Sequence, residues 1–489
     1  MRDWLAVRRA ATPDTLALLD ATTDDRRTYA DLDDAVEEVA GKLQALGVNA
    51  GDAVGVVMET RPAYVELLWA VQRLGATLVP FNARLTPAEL IDQRTTIDPA
   101  VLVTDRDHEE TAVDAGGRTP VVSVDEPTLA ETRWLDATTP QTVESVGVSL
   151  SDTAAVLFTS GTTGEPTAIR VTARNVLASA VASAFRLGVV PDDRWLLCLP
   201  MYHMGGLSIP IRTMVYGTTT VLHGEFDPGP ILRTLRERSI TGVSLVPTML
   251  ERLLDAGPVD DSLRFALVGG GPTSAELAQR ALAAGVPIHP TYGMTETASQ
   301  ITTATPRDVE AAPDSVGRPL VGTDLAILDG AGSRLDRGEQ GEIAVSGWTV
   351  SPGPVSESSR RTDEWFRTGD VGYRDEKGRL YVTGRASELI VTGGENVVPG
   401  DVRAAILAHP AVEDAAVVGL TDAEWGERVG ALVVTTEPVS KGTLRSFLEE
   451  RLAGFKLPRT VAFADALPRT HSGTVDREVV RDQLREAER

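Results

Sequence analysis

One cysteine in 489 residues, Cys198, has no partner within the chain. That excludes an internal disulfide and any metal site built from cysteines. Lysine is almost as scarce, with Lys42, Lys377, Lys441 and Lys456 the only lysines among 47 basic residues. No run approaches the ~18 consecutive apolar residues of a membrane span. The opening MRDWLAVRRA sets charges where a signal peptide would carry its apolar core. We therefore expect a cytoplasmic protein with no membrane partner.

What is abundant is negative charge. Acidic residues number 70 against the 47 basic ones, for a formal net charge of −23. Such a surface repels phosphate backbones, so no nucleic-acid partner is expected. An acidic, lysine-poor surface also suits a halophilic protein that stays hydrated in concentrated salt; a GC-rich gene favours arginine and alanine over lysine as well. With 42% hydrophobic residues the chain can bury substantial cores, and its length suggests more than one domain.

The first ~100 residues alternate helical and strand-like patterns. Asp33 to Leu46 places Val36, Val39, Ala40, Leu43 and Leu46 on one helical face before a stop at Gly47. VGVVMET reads as a buried strand and VELLWAVQRLGA as the next helix. Thr86-Pro87-Ala88-Glu89 is a capping-box pattern. Alternation of this kind predicts parallel sheets and an α/β architecture. Residues 105–150 are acidic, turn-rich and weakly periodic, which places them at the surface. From about 305 to 383 short strands (DLAIL, GEIAVSG, RLYVTG) alternate with Gly/Asp turns, and helix–strand alternation resumes after Gly384. The expected organisation is a large N-terminal domain, 1–384, of stacked α/β sheets with a β-rich subdomain. A small mobile α+β C-terminal domain, 385–489, follows it.

Three segments carry chemistry. In Val156 to Pro166 an apolar strand runs into Thr159, Ser160, Gly161, Thr162, Thr163 and Gly164. Hydroxyls and glycine amides so closely spaced can wrap polyphosphate oxygens, or simply form a flexible turn. The spacing is not that of a Walker A loop. In Tyr292-Gly293-Met294-Thr295-Glu296-Thr297 a hydroxyl beside a carboxylate can hold a phosphate with its Mg²⁺, or merely start a helix. In Trp365 to Asp370, with Gly384-Arg385 following, a strand-end carboxylate and an arginine can meet one ribose, or can be a turn and a surface charge.

Taken in order, these segments closely resemble the AMP-forming adenylate synthetase superfamily, from TYADLDD at Thr28 to LPRTHSG at Leu467. The resemblance implies that Thr159 to Gly164 contact the β- and γ-phosphates of ATP, Thr295 the α-phosphate, and that Glu296 ligates Mg²⁺. It implies that Asp370 and Arg385 hold the ribose. Gly269, Gly270, Gly271 and Tyr292, with Gly293 and Met294, flank adenine and the acyl pocket. Ser387 falls at the family's hinge. Gly393, Gly394, Glu395 and Trp425 line the path of the coenzyme A thiol. The implied reaction joins a small-molecule carboxylic acid to CoA through an acyl-adenylate, with ATP and Mg²⁺. Two positions depart from the pattern: Thr167 and Thr474 stand where the family has lysines. The second departure leaves a non-catalytic acyl-adenylate-binding homologue as an alternative.

The segment Leu199 to Gly217, LPMYHMGGLSIPIRTMVYG, is similar to that of the o-succinylbenzoate–CoA ligases of menaquinone biosynthesis. That likeness implies that His203 gates the acyl pocket and that Arg212 pairs with the second carboxylate of 2-succinylbenzoate. A structural ion pair for Arg212, and another aromatic or medium-chain acid as substrate, stay open. Oligomeric state is not legible.

Overall fold

The computed structural model describes residues 3–144, 146–160, 166–359, 364–385, 388, 390–392, 395–422, 425–469 and 475–487. The chain folds as two compact units, Met1–Leu325 with Val345–Phe366, and Ala326–Ala344 with Arg367–Arg489.

The first unit is α/β, built on two large sheets. Its nine-stranded sheet has the strands Thr219–Leu222, Arg194–Leu197, Gly242–Leu245, Phe265–Val268 and Ile288–Tyr292 side by side and parallel. The first four are buried over nearly their whole length, as strands covered on both faces must be. The eight-stranded sheet centres on Ala53–Val57, Thr77–Pro80 and Val101–Thr104 and continues into the antiparallel pair Thr153–Ser160 and Pro166–Thr172, with Gly353–Pro354 as the edge beyond them. One core joins both sheets, with Val54, Leu78 and Val101 of one and Trp195, Leu222 and Phe265 of the other. The helices Tyr29–Ala45, Pro62–Arg73 and Met204–Tyr216 contribute Leu43, Leu67 and Leu207 to it.

The local sequence signals act where they stand. The first predicted helix begins earlier than its apolar pattern, at Tyr29, because Thr28 and Asp31 form a reciprocal capping box. It ends at Ala45 with Leu46 as its C-cap, and Gly47 takes φ +98°. Thr86 and Glu89 cap Pro87–Ile97 in the same way. Residues 105–150 correct the sequence reading in part. Val121–Ser123 and Thr132–Trp134 are parallel strands completing the edge of the eight-stranded sheet, and Glu109–Gly116 is a helix. Strands of three residues are too short to show a period.

The second unit contains most of a four-stranded sheet, Thr323–Leu328, Gly341–Gly347, Phe366–Arg374 and Leu380–Arg385, as the short strand patterns predicted. It also holds a five-stranded sheet, with Val412–Asp422 and Gly426–Thr435 as its long pair. Alternate residues of these strands face opposite ways. Ala415, Val417, Ala431 and Val433 pack on Pro399–Leu407 and Lys441–Glu449, while Ala416, Val418, Leu432 and Val434 pack on Arg477–Glu486. This is the expected α+β arrangement. Among the described residues no helix is long and apolar enough to cross a membrane.

Two expectations follow from burial. Cys198 is buried just beyond Arg194–Leu197, and desolvation pushes its thiol up to about 12. A thiol-reactive dye should therefore label the native protein at a negligible rate and take up one equivalent only on unfolding; rapid native labelling would contradict this burial. Of the described acidic residues only Asp3, Asp33, Asp105, Glu109, Asp193, Asp308 and Asp370 are buried, and each meets a cation or backbone amides. Most of the remaining acids face water and repel one another. Screening lengths fall from ~10 Å at 0.1 M salt to ~3 Å at 1 M. The thermal midpoint should rise over that range of KCl, and a midpoint that falls or stays level would rule out halophilic stabilisation.

Candidate active site

The small-residue segment sits between two paired strands. Thr153–Ser160 and Pro166–Thr172 run antiparallel with Thr159 opposite Thr167 and Ser160 opposite Pro166. Thr159 is half-buried; Gly161, Thr162, Thr163 and Gly164 lie outside the described residues. The return strand leads to the second segment. Ser351 donates its amide to the Glu296 carbonyl (2.8 Å) and its hydroxyl to the Arg170 carbonyl (2.6 Å). One serine thereby ties the Thr-Glu turn to the strand pair that flanks the small-residue segment.

Thr295–Thr297 is a single tight turn after the strand Ile288–Tyr292, with Thr295 and Glu296 half-buried. Met294 and Thr297 hydrogen-bond each other within it. Gly293 is required by contact: a Cβ there would fall 2.1 Å from the Ser299 carbonyl. Behind the turn Ala298 and Ser299 take φ +50° and +93°, a conformation that non-glycine residues adopt at a cost of about 1–3 kcal/mol. The Ser179 hydroxyl donates to the Ala298 carbonyl (2.6 Å) and so helps to hold it.

Gly269, Gly270 and Gly271 follow the neighbouring parallel strand Phe265–Val268, in register with Ile288–Tyr292. A Cβ on Gly269 would meet Thr291 Cγ2 at 2.6 Å. The glycine strip and Tyr292 to Glu296 thus lie together at the carboxyl ends of adjacent strands, where open α/β sheets bind ligands.

His203 precedes the helix Met204–Tyr216, its ring edge-on to Tyr202 at 4.9 Å between centroids. Its side chain reaches solvent, yet the protein packed around it and the Arg84 charge lower its pKa. It is neutral at pH 7. Further along the same helix Arg212 is 1% exposed. Its Nη2 donates to Ser179 Oγ (3.4 Å), and its guanidinium stacks 5.4 Å from the Trp195 ring centroid. Nε has no partner, and among the described residues no carboxylate pairs with it. Burial lowers its pKa to about 10, which leaves it charged at neutral pH.

Within the second unit Asp370 and Arg385 are cross-strand partners on Phe366–Arg374 and Leu380–Arg385, with Asp370 Oδ1 2.9 Å from Arg385 Nε. Asp370 is buried, and its backbone amide donates to Thr368 Oγ1, which fixes the main chain from which the carboxylate reaches Arg385. The strand Ile390–Thr392 pairs Thr392 with both Glu395 and Gly426, which brings the two expected thiol-path segments to one end of the sheet. Trp425 is half-buried beside Gly426, with Arg459 stacked 4.3 Å over its ring. Gly393, Gly394, Ser387 and Thr474 lie outside the described residues; Thr167 stands on the return strand.

Sequence reasoning missed Ser351, Ser179 and Gln300. Gln300 is buried behind the turn, bonding Thr303 Oγ1 (2.9 Å). Ser351 and Ser179 belong to segments distant in sequence from the turn they hold, so no local pattern marks them.

Known proteins share this arrangement. A family model described as AMP-binding enzyme matches residues 5–353, and one for the AMP-binding enzyme C-terminal domain matches 401–474. The 2-succinylbenzoate–CoA ligase of Bacillus licheniformis is 37% identical over 97% of this chain and 98% of its own. The o-succinylbenzoate CoA synthetase of Bacillus subtilis in complex with its acyl-adenylate intermediate superposes with a TM-score of 0.88 at 34% identity, over 99% of this chain and 98% of that one. The same enzyme with ATP and magnesium ion gives 0.87 at 34%, over 99% of each. Through its large region and its C-terminal segment alike, this chain belongs to the AMP-binding enzyme family.

Proposed function

We propose that this protein is an ATP- and CoA-dependent ligase that converts 2-succinylbenzoate to 2-succinylbenzoyl-CoA in menaquinone biosynthesis, in the cytoplasm. The observation that carries the reading from family to substrate is the 37% identity over nearly the whole chain to a 2-succinylbenzoate–CoA ligase, and the acid's second carboxylate is assigned to Arg212, a buried guanidinium with an unpartnered Nε and no acidic partner among the described residues. A buried cation without counter-charge is costly. A dicarboxylate supplies that charge with one carboxylate while the other reacts.

In the first step a carboxylate oxygen attacks the α-phosphorus of ATP and the bond to pyrophosphate breaks, giving the acyl-adenylate. Thr159 to Gly164 hold the departing phosphates and Thr295 the α-phosphate. Gly269 to Gly271 and Tyr292 flank adenine, and the Asp370–Arg385 pair holds the ribose. In the second step the CoA sulfur attacks the acyl carbon, AMP leaves with the bonding electrons, and the thiol proton passes to solvent. His203, uncharged, gates the acyl pocket without adding a cation to it. Gly393, Gly394, Glu395 and Trp425 line the thiol path, with residues 385–489 moving as the lid between steps.

Mg²⁺ fits the donor set as a companion of ATP. Glu296 and Thr295 offer hard oxygen ligands, and among the described residues no group of three or more His, Cys, Asp or Glu could hold an ion by itself. The ion supplies charge neutralisation on the phosphates.

The test is mass spectrometry after incubation with ATP, Mg²⁺, CoA and 2-succinylbenzoate in molar KCl, with benzoate and a medium-chain acid alongside. A succinylbenzoyl-CoA product is expected. Thioester from another acid alone would overturn the substrate, and none from any acid would overturn the function.

A further inference from the structure

The helix Ala173–Leu187, ARNVLASAVASAFRL, buries the polar residues Asn175, Ser179 and Ser183 and carries apolar residues on its outer side. Its inner side is covered, through Val176, Ala180 and Ala182. Its outer side is not. Leu177, Val181 and Phe185 form one stripe at spacings of four, with Phe185 78% exposed. Exposed apolar surface continues past the helix end at Val189 and Val190.

It also continues sideways. Trp348, 66% exposed, gives its carbonyl to Asn175 Nδ2 (2.8 Å) near the helix start. The neighbouring Gly347 packs so closely on Gly322 that a Cβ would sit 2.2 Å from the Gly322 carbonyl, which brings the segment carrying Val321, 55% exposed, to the backbone next to Trp348. All of these residues belong to the first unit. Aromatic residues make up only 5% of the chain, yet Phe185 and Trp348 are more exposed than any other described phenylalanine or tryptophan. Exposed aromatic surface of this kind, at both ends of one helix, marks an interface.

We infer that a second copy of this chain covers the face, paired antiparallel about a two-fold axis near Val181. Charge complementarity selects this occupant. Arg174, two turns before Val181, and Asp192, beyond the helix end, have no ion pair among the described residues. A two-fold axis at Val181 sets Leu177 of one copy against Phe185 of the other. It also sets Arg174 of each against the other's helix C-terminus and Asp192, a favourable match with the helix dipole. The two rings, worth ~150–250 Å² each when buried, supply roughly half of the ~800 Å² that a standard interface buries per partner, and the four valines add to that.

Sedimentation in molar KCl tests this with the full chain. The wild type should run at twice 52.1 kDa at micromolar concentration. Phe185→Asp should run as a monomer with an unchanged circular dichroism spectrum. Arg174→Asp should weaken association at least tenfold, and adding Asp192→Arg should restore it, which a merely structural role for either residue would not produce. A wild type that stays monomeric up to ~100 μM, a dimer that survives Phe185→Asp, or a monomer that floats with phospholipid vesicles would each overturn the inference. So would a charge-reversed pair that stays apart.

Discussion

Glu296→Gln lowers the rate of adenylate formation by about 10²–10³-fold, the usual cost of removing one preorganised charged group from a transition state. The substitution keeps the size and shape of the side chain, and the backbone bond from Ser351 to the Glu296 carbonyl does not depend on the carboxylate. The turn should therefore survive, with its charge gone. What is lost is the anionic oxygen proposed to share Mg²⁺ with the ATP phosphates. Because the ion would then lack its anionic protein ligand, the Mg²⁺ concentration needed for half-maximal rate should rise as well. Both effects are read from pyrophosphate release at increasing Mg²⁺. A variant within threefold of wild type at every Mg²⁺ concentration would remove Glu296 from the site.

The second large effect belongs to Arg212. Truncating one partner of a buried charge pair costs about 2–5 kcal/mol, so Arg212→Met should lower kcat/KM for 2-succinylbenzoate by about 10²–10³-fold, mostly through KM. The comparison that gives this meaning uses 4-oxo-4-phenylbutanoate, the substrate without its ring carboxylate. Wild type should strongly prefer the dicarboxylate and the variant should hardly distinguish the two. Arg212 also donates to Ser179, which holds the Ala298 carbonyl behind the Thr-Glu turn. Were that its whole role, Arg212→Met would slow both acids equally, chiefly in kcat. The split between KM and kcat separates the two roles.

Much of the fold was legible because its signals are local. Thr28 with Asp31 and Thr86 with Glu89 announce helix starts in the sequence and form the reciprocal bonds they announce. The long strands of the second unit are continuous apolar runs, and both of their faces are covered accordingly. The edge strands at 121–123 and 132–134 were not legible, since three residues hold no period and their pairing is decided by the strand at 101–104. The same division runs through the site. The resemblance implies that Asp370 and Arg385 serve one ribose; what the structure shows is that they are register partners with Oδ1 and Nε 2.9 Å apart. Ser351 gave no sign, because its role is a backbone amide and a hydroxyl bridging two segments that meet only when folded. Nor did the lack of an acid beside Arg212: a missing partner is a property of the packed interior.

The most direct test of the central claim concerns the first half-reaction, because Thr474 stands where the family's lysine would bridge carboxylate and α-phosphate. Acid-dependent exchange of labelled pyrophosphate into ATP reports that step without CoA. With the wild-type protein in molar KCl, 2-succinylbenzoate should stimulate exchange well above the rate without acid, and a medium-chain fatty acid should not. No stimulation by any acid, from protein that still binds AMP, would contradict the account and leave a nucleotide-binding relative without ligase chemistry.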